Sequence, residues 1–177
     1  MTEYRERTYR RTINARGLVT FQVAVRETDL FIAADDDLRI PAREAVIRQR
    51  RHIEKYIEQK PQFLHALTPL PEDPLAPPIV QMMLTAGKLS GVGPMAAVAG
   101  AVAQHVARDL RDLTNNIIVE NGGDIFMKTE RERRVAIFAG ESPLQGKVAL
   151  RIKPADMPLG ICTSSATVGP SLSFGRA

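Results

Sequence analysis

The chain has 177 residues, 44% hydrophobic and 25% charged, enough apolar material for a folded core and too little charge for a disordered chain. Its net charge of +4 and pI of about 9.5 favour anionic small molecules as ligands, while acids interleaved with the bases argue against the dense patch of a nucleic-acid binder. The absence of Trp argues against a surface that stacks on bases, and one cysteine with three scattered histidines leaves neither an internal disulfide nor a zinc spacing.

The first residues, MTEYRERTYRR, carry charge with no apolar segment behind them, so an ordinary signal peptide is not expected and a cytoplasmic location is. Tyr4 to Ile13 reads as an exposed edge strand. Leu18 to Val25 alternates apolar and polar residues and reads as a strand, with a turn at Glu27 to Asp29 and Leu30 to Ala34 as hairpin partner. Asp35, Asp36 and Asp37 could suggest a metal cluster, yet adjacent carboxylates on a loop more often cap or solvate it. A helix is expected from Pro41 to about Lys60, with Ala42, Ala45, Val46, Ile53, Tyr56 and Ile57 on its core face. Arg43, Arg48, Gln49, Arg50, Arg51 and Glu54 would decorate the solvated face.

Pro61 to Pro78 is a proline-rich connector with a short helical turn near Phe63 to Ala66, marking a change of layer or a sub-boundary within one domain. Pro78 is placed to start a second helix, Ile79 to Lys88, which Gly91 stops. Next comes Ser90 to Val106, SGVGPMAAVAGAVAQHV, a glycine-proline turn leading into a helix of small residues. It falls short of the roughly 20 apolar residues that span a bilayer. Two readings stand side by side. One is a tightly packed core helix whose glycines only shape the turn. The other is an anion site at the helix N-terminus, where free N–H groups and bare glycines receive a phosphate.

Strands follow: Asn116 to Glu120, Ile125 to Lys128 across an Asn121-Gly122-Gly123-Asp124 turn, then Arg134 to Ala139 and Lys147 to Ile152. Asn-Gly is the strongest short hairpin signal, so Asn121 and Gly122 have a structural reason to exist without a ligand. Pro158 to Pro170 is a hydroxyl- and glycine-rich strand-to-loop segment. Strands, helices, then strands predict an α+β fold with a mostly antiparallel sheet packed with helices.

Three segments carry a resemblance: Gly91-Val-Gly-Pro-Met-Ala-Ala-Val-Ala-Gly100, Val119-Glu-Asn-Gly-Gly-Asp-Ile125 and Gly160-Ile-Cys-Thr-Ser-Ser-Ala-Thr-Val-Gly169. Together with Tyr4-Arg-Glu-Arg-Thr-Tyr9 and Glu27-Thr-Asp-Leu30, they resemble an uncharacterised bacterial and archaeal family related to the ApbE flavin transferases. The resemblance implies an ApbE-like α+β domain that binds FAD or a similar diphosphate with Mg2+. It also implies FMN transfer to a threonine of a protein acceptor, or pyrophosphatase chemistry. The sites it implies are Gly91 and Gly93 on the glycine-led helix, Asn121, Gly122, Gly123 and Asp124 at the turn, and Thr163, Ser164 and Ser165. Asp124 would be the metal ligand.

The departures are specific. The transferase helix carries a lysine after its first glycines and an acid further on, where this chain has Pro94, Met95 and alanines. The late Ala-Asp-Ala stretch of the transferases has no counterpart before Ala177, so a C-terminal segment is expected to be missing. No catalytic residue is identified. The alternative is a non-enzymatic assembly module, or a binder of another anionic metabolite on the same scaffold. The expected partners are a small nucleotide and, for either reading, a second copy in a homo-oligomer; nucleic acid and membrane are not expected. A nucleophilic role for Cys162 is the weakest reading, because no histidine is near it in sequence and free cysteines are usually small buried hydrophobes.

Overall fold

The computed structural model describes residues 10, 15–137, 143 and 147–162. Strand β1 (Val19–Val25) pairs antiparallel with β2 (Thr28–Ala34). Val25 already faces Thr28, so only Arg26 and Glu27 form the turn. Thr28 and Asp29, expected in the turn, are strand residues instead. The tighter turn works because Arg26 adopts a left-handed φ of 53°, the twist that short hairpin loops require. On β2, Leu30, Ile32 and Ala34 point to one face and are fully buried, as the two-residue period of a strand dictates.

Four helices separate β2 from the rest of the sheet. They are α1 (Arg39–Gln59), α2 (Gln62–His65), α3 (Pro78–Ser90) and α4 (Val98–Asp109). Pro41 is tolerated because it lies in the first turn of α1, where amides have no helical partner. Ala42, Ala45, Val46, Ile53 and Tyr56 form the buried stripe of α1. Gln49, expected in solvent, belongs to that stripe by its spacing and is buried, its Nε2 donating to Oδ2 of Asp109 on α4 at 2.7 Å. Arg50 likewise leaves the solvated set, donating to Glu27 at 2.7 Å and to Thr28 at 2.8 Å, and so pinning the β1–β2 turn to α1. The fully buried Phe63 of α2 meets the Tyr56 ring edge-on, centroids 5.0 Å apart. That contact holds the connector to the core, and burying such a ring contributes about 2 kcal/mol.

Strands β3 (Ile117–Asn121), β4 (Asp124–Lys128) and β7 (Leu159–Ile161) complete a five-stranded antiparallel sheet of order β1-β2-β3-β4-β7. The strands β5 (Arg133–Ala136) and β6 (Ala149–Ile152) form a separate two-stranded sheet. Helix α1 packs on β1 and on α4, and α4 packs on β3 and β4. The core lies between the helices and one face of the sheet, as the α+β expectation required. The expected strand from Tyr4 to Ile13 lies outside the described residues except for Arg10, and the end of the expected strand at Ala139 lies outside them too. Among the described residues no helix is long and apolar enough to cross a membrane.

Candidate functional site

The β3–β4 hairpin turns through Gly122 and Gly123, at φ 63° and 103°. Two consecutive left-handed residues are what a two-residue turn needs, and glycine adopts them without a Cβ penalty. Asn121 and Asp124 face each other across the strands, so both point to the helix-covered face. Glu120 points to the opposite face.

On the helix face the turn meets the first turn of α4. Asn121 donates its Nδ2 to the carbonyl of Ala99 at 3.1 Å. A Cβ placed on Gly100 would lie 3.4 Å from Oδ2 of Asp124, so a bare residue at Gly100 lets that carboxylate approach the helix. Burial pushes the Asp124 carboxyl above the usual carboxylate range; the Gly100 amide offsets part of this and the charge of Glu120 adds to it. Among the described residues no side chain donates a hydrogen bond to Asp124. A half-buried carboxylate that the fold leaves with spare acceptor capacity is a feature of functional sites.

Glu120 is different. It is 3% exposed. Its Oε2 accepts from Nε of Arg10 at 2.6 Å, and its Oε1 accepts the Gly123 amide at 2.8 Å. Arg10 also reaches Oδ2 and the carbonyl of Asp29, each at 2.8 Å. Burial works against the charge on Arg10, but Glu120 and Asp29 outweigh it and keep the guanidinium ionised. This buried network holds the turn from below. Sequence reasoning did not single out Arg10 or Glu120; the available signal was an acid directly after the apolar run Ile117-Ile118-Val119, within the expected strand.

The glycines ahead of α4 have structural tasks. Gly91 is the left-handed cap of α3, φ 70°, its amide bonded to the Gly87 carbonyl, and it is solvent-exposed. Gly93 is buried, and a Cβ on it would fall 1.7 Å from the carbonyl oxygen of Ala66. Its open side is therefore filled by the connector backbone. Pro94 to Ala97 form a single 3-10 turn before α4 begins at Val98. The structure thus brings Asn121, Gly122, Gly123 and Asp124 to the start of α4, and places Gly91 and Gly93 in packing and capping roles. Strand β7 runs beside β4, with Ile161 opposite Ile125. Cys162 follows it and is exposed rather than buried. Thr163, Ser164 and Ser165 lie outside the described residues.

Among the described residues no three His, Cys, Asp or Glu side chains come together to hold a metal. Asp35 is taken up by hydrogen bonds from Thr114, Asn115 and Asn116. Asp124 stands as one carboxylate, with Glu120 committed to Arg10 and Gly123. A magnesium ion held by side chains alone does not fit these donors. A cavity of about 260 Å3 lies elsewhere, lined by residues that include Tyr56, Lys60, Phe63, Glu72 and Asp73; Asp73 is bound by Tyr56 and Lys60 and Glu72 pairs with Lys88.

The sequence model of a family described as AbpE bacteria matches residues 10–177. A UPF0280 protein of Methanococcus aeolicus is 41% identical over 160 residues, covering 88% of this chain and 64% of that protein. A UPF0280 protein of Methanocaldococcus jannaschii is 39% identical over 159 residues, covering 88% and 64%. One from Methanospirillum hungatei is 46% identical over 155 residues, covering 86% and 63%. The chain thus spans less than two thirds of the length of these relatives. These matches correct the expected kinship with the ApbE flavin transferases: the matching model is that of AbpE bacteria, and the relatives bear UPF0280 names rather than a transferase name.

Proposed function

This chain belongs to the family described as AbpE bacteria, and on that premise we propose that it binds a small nucleotide of the flavin or nucleoside-diphosphate class beside the β3–β4 turn. The observation that carries the reading is Asp124, a half-buried carboxylate with raised pKa and no side-chain donor among the described residues. It sits between a glycine turn and a helix start made of small residues. In that position it accepts hydrogen bonds from ligand hydroxyl or amine groups, while the bare Gly122, Gly123 and Gly100 leave room for close approach. The net charge of +4 favours an anionic ligand. The described donors do not make a metal site. A nucleotide ligand and the single cysteine go with a cytoplasmic location.

Calorimetric titration with FAD, FMN and ADP, with and without Mg2+, tests the reading. Saturable binding is expected, and Asp124→Asn should weaken it about tenfold, the loss of one hydrogen bond to a charged group. No binding of any of the three at millimolar concentration, or unchanged affinity in the variant, overturns it.

A second reading, a non-enzymatic assembly module, is favoured by Gly93 against Ala66 and by Asn121 on Ala99. Under it the small-residue helix serves packing. Gly93→Ala should then cost about 3 kcal/mol in chemical denaturation, because the Cβ meets rigid backbone. A folded, stable Gly93→Ala variant that has lost nucleotide binding would instead place Gly93 at the ligand.

A further inference from the structure

At the other end of the hairpin the chain forms a polar cleft of about 110 Å3, into which Arg16, Arg131 and Arg133 converge beside Asn116 and Asp35. Strand β3 separates it from the turn by five residues, about 17 Å. Arg133 is half-buried and fixed: its Nη1 donates to the Arg16 carbonyl at 2.8 Å and its Nε to Oγ1 of Thr129 at 3.4 Å. Among the described residues its remaining N–H groups have no acceptor. Arg16 and Arg131 are exposed. Among the described residues no carboxylate makes an ion pair with any of the three.

The acids at the cleft, Asp35 and Glu130, offset part of this charge without making an ion pair with any of the three arginines among the described residues. Asp35 has both oxygens engaged, Oδ2 by Thr114 and the amides of Asn115 and Asn116, and Oδ1 by Nδ2 of Asn116. Glu130 is exposed at the rim, and it is held there through its own amide, which donates to Oδ1 of Asn116 at 2.8 Å. Burial makes the Arg133 guanidinium easier to deprotonate than usual, the like charge of Arg131 adds to this, and Asp35 opposes it. Like charges gathered around a small polar space are stabilised by an anion placed between them.

We propose that this cleft is a binding site for a tetrahedral oxoanion, a phosphate group, gripped by Arg16, Arg131 and Arg133. Planar guanidinium forks match phosphate oxygens and bond them in pairs. A space of about 110 Å3 has room for one phosphate group. The phosphate is either free inorganic phosphate or the headgroup of a phosphomonoester metabolite. The site is independent of the nucleotide reading at the turn.

Titration of the full chain with inorganic phosphate and, in a separate arm, with glycerol phosphate tests the proposal. Saturable binding at one equivalent is expected in at least one arm, and the tighter arm names the source. Arg131→Gln, an exposed position that should not disturb folding, should weaken binding about tenfold, as should Arg16→Gln. Glu130→Gln should strengthen it about threefold by removing the competing rim charge. Arg133→Gln is read only alongside a melting curve, since that side chain also holds the Arg16 carbonyl. Absence of saturable binding in both arms up to tens of millimolar overturns the proposal, and so does affinity unchanged in both Arg131→Gln and Arg16→Gln.

Discussion

The two ends of the β3–β4 hairpin are built from the same materials to opposite effect. At the turn, Glu120 is buried and saturated by Arg10 and Gly123, while its neighbour Asp124 is left with spare acceptor capacity. At the open end the pattern differs: Asp35 is saturated, Glu130 stands at the rim, and among the described residues the arginines have spare donors. At the turn the charge with spare capacity is negative, and at the open end it is positive. A fold that buries polar groups spends most of them on itself, so the remainder marks where a ligand has something to bind.

The largest effect expected from breaking this contrast is at Glu120. Glu120→Ala leaves the buried Arg10 short of a partner and the Gly123 amide without its acceptor, and should cost about 3 kcal/mol in urea unfolding. A loss under 1 kcal/mol would mean that the network does not hold the turn. Next is Asp35→Ala, which strips four hydrogen bonds from a solvated loop and should cost about 1 kcal/mol at neutral pH.

The two acids should also differ in the sign of their pH dependence. For Asp35, burial is outweighed by hydrogen bonds from Thr114, Asn116 and Asn115, and its pKa is lowered. Its stabilisation is present at neutral pH and lost as the pH falls through its folded value, so the cost of Asp35→Ala should shrink in acid. For Asp124, burial and Glu120 raise the pKa. Its contribution is full in acid and lost as the pH rises through the folded value. Asp124→Asn, the smallest effect, should therefore raise the melting temperature at pH 7 and lose that advantage toward pH 3. Melting curves of both variants across pH check this, and equal slopes for the two would remove the contrast.

Most of the scaffold was legible from residue order. Alternation in Leu18 to Val25, with Leu30 to Ala34 as hairpin partner, marked β1 and β2, the stripe Ala42, Ala45, Val46, Ile53, Tyr56 and Ile57 marked α1, and the Asn121-Gly122-Gly123-Asp124 turn marked the second hairpin. These signals are local, because strand and helix periods and left-handed glycines act over a few residues. The same local rules failed at Gln49, whose polarity suggested solvent while its spacing put it inside, facing Asp109. Asp124 was singled out as a ligand residue, but its sequence did not say that the fold would leave it with the Gly100 amide and no side-chain donor among the described residues.

What the amino-acid order by itself determined is the main element types, the α+β class and the second hairpin turn, since each follows from short-range sterics and burial periodicity; the first turn was tighter than the order suggested. Tertiary structure alone decided that Gly93 backs onto Ala66, that Arg10 reaches across 110 positions to Glu120, and that Arg16 meets Arg131 and Arg133 in one cleft. Those pairings join residues apart in the chain, and only the sheet order and the packing of the helices bring them together.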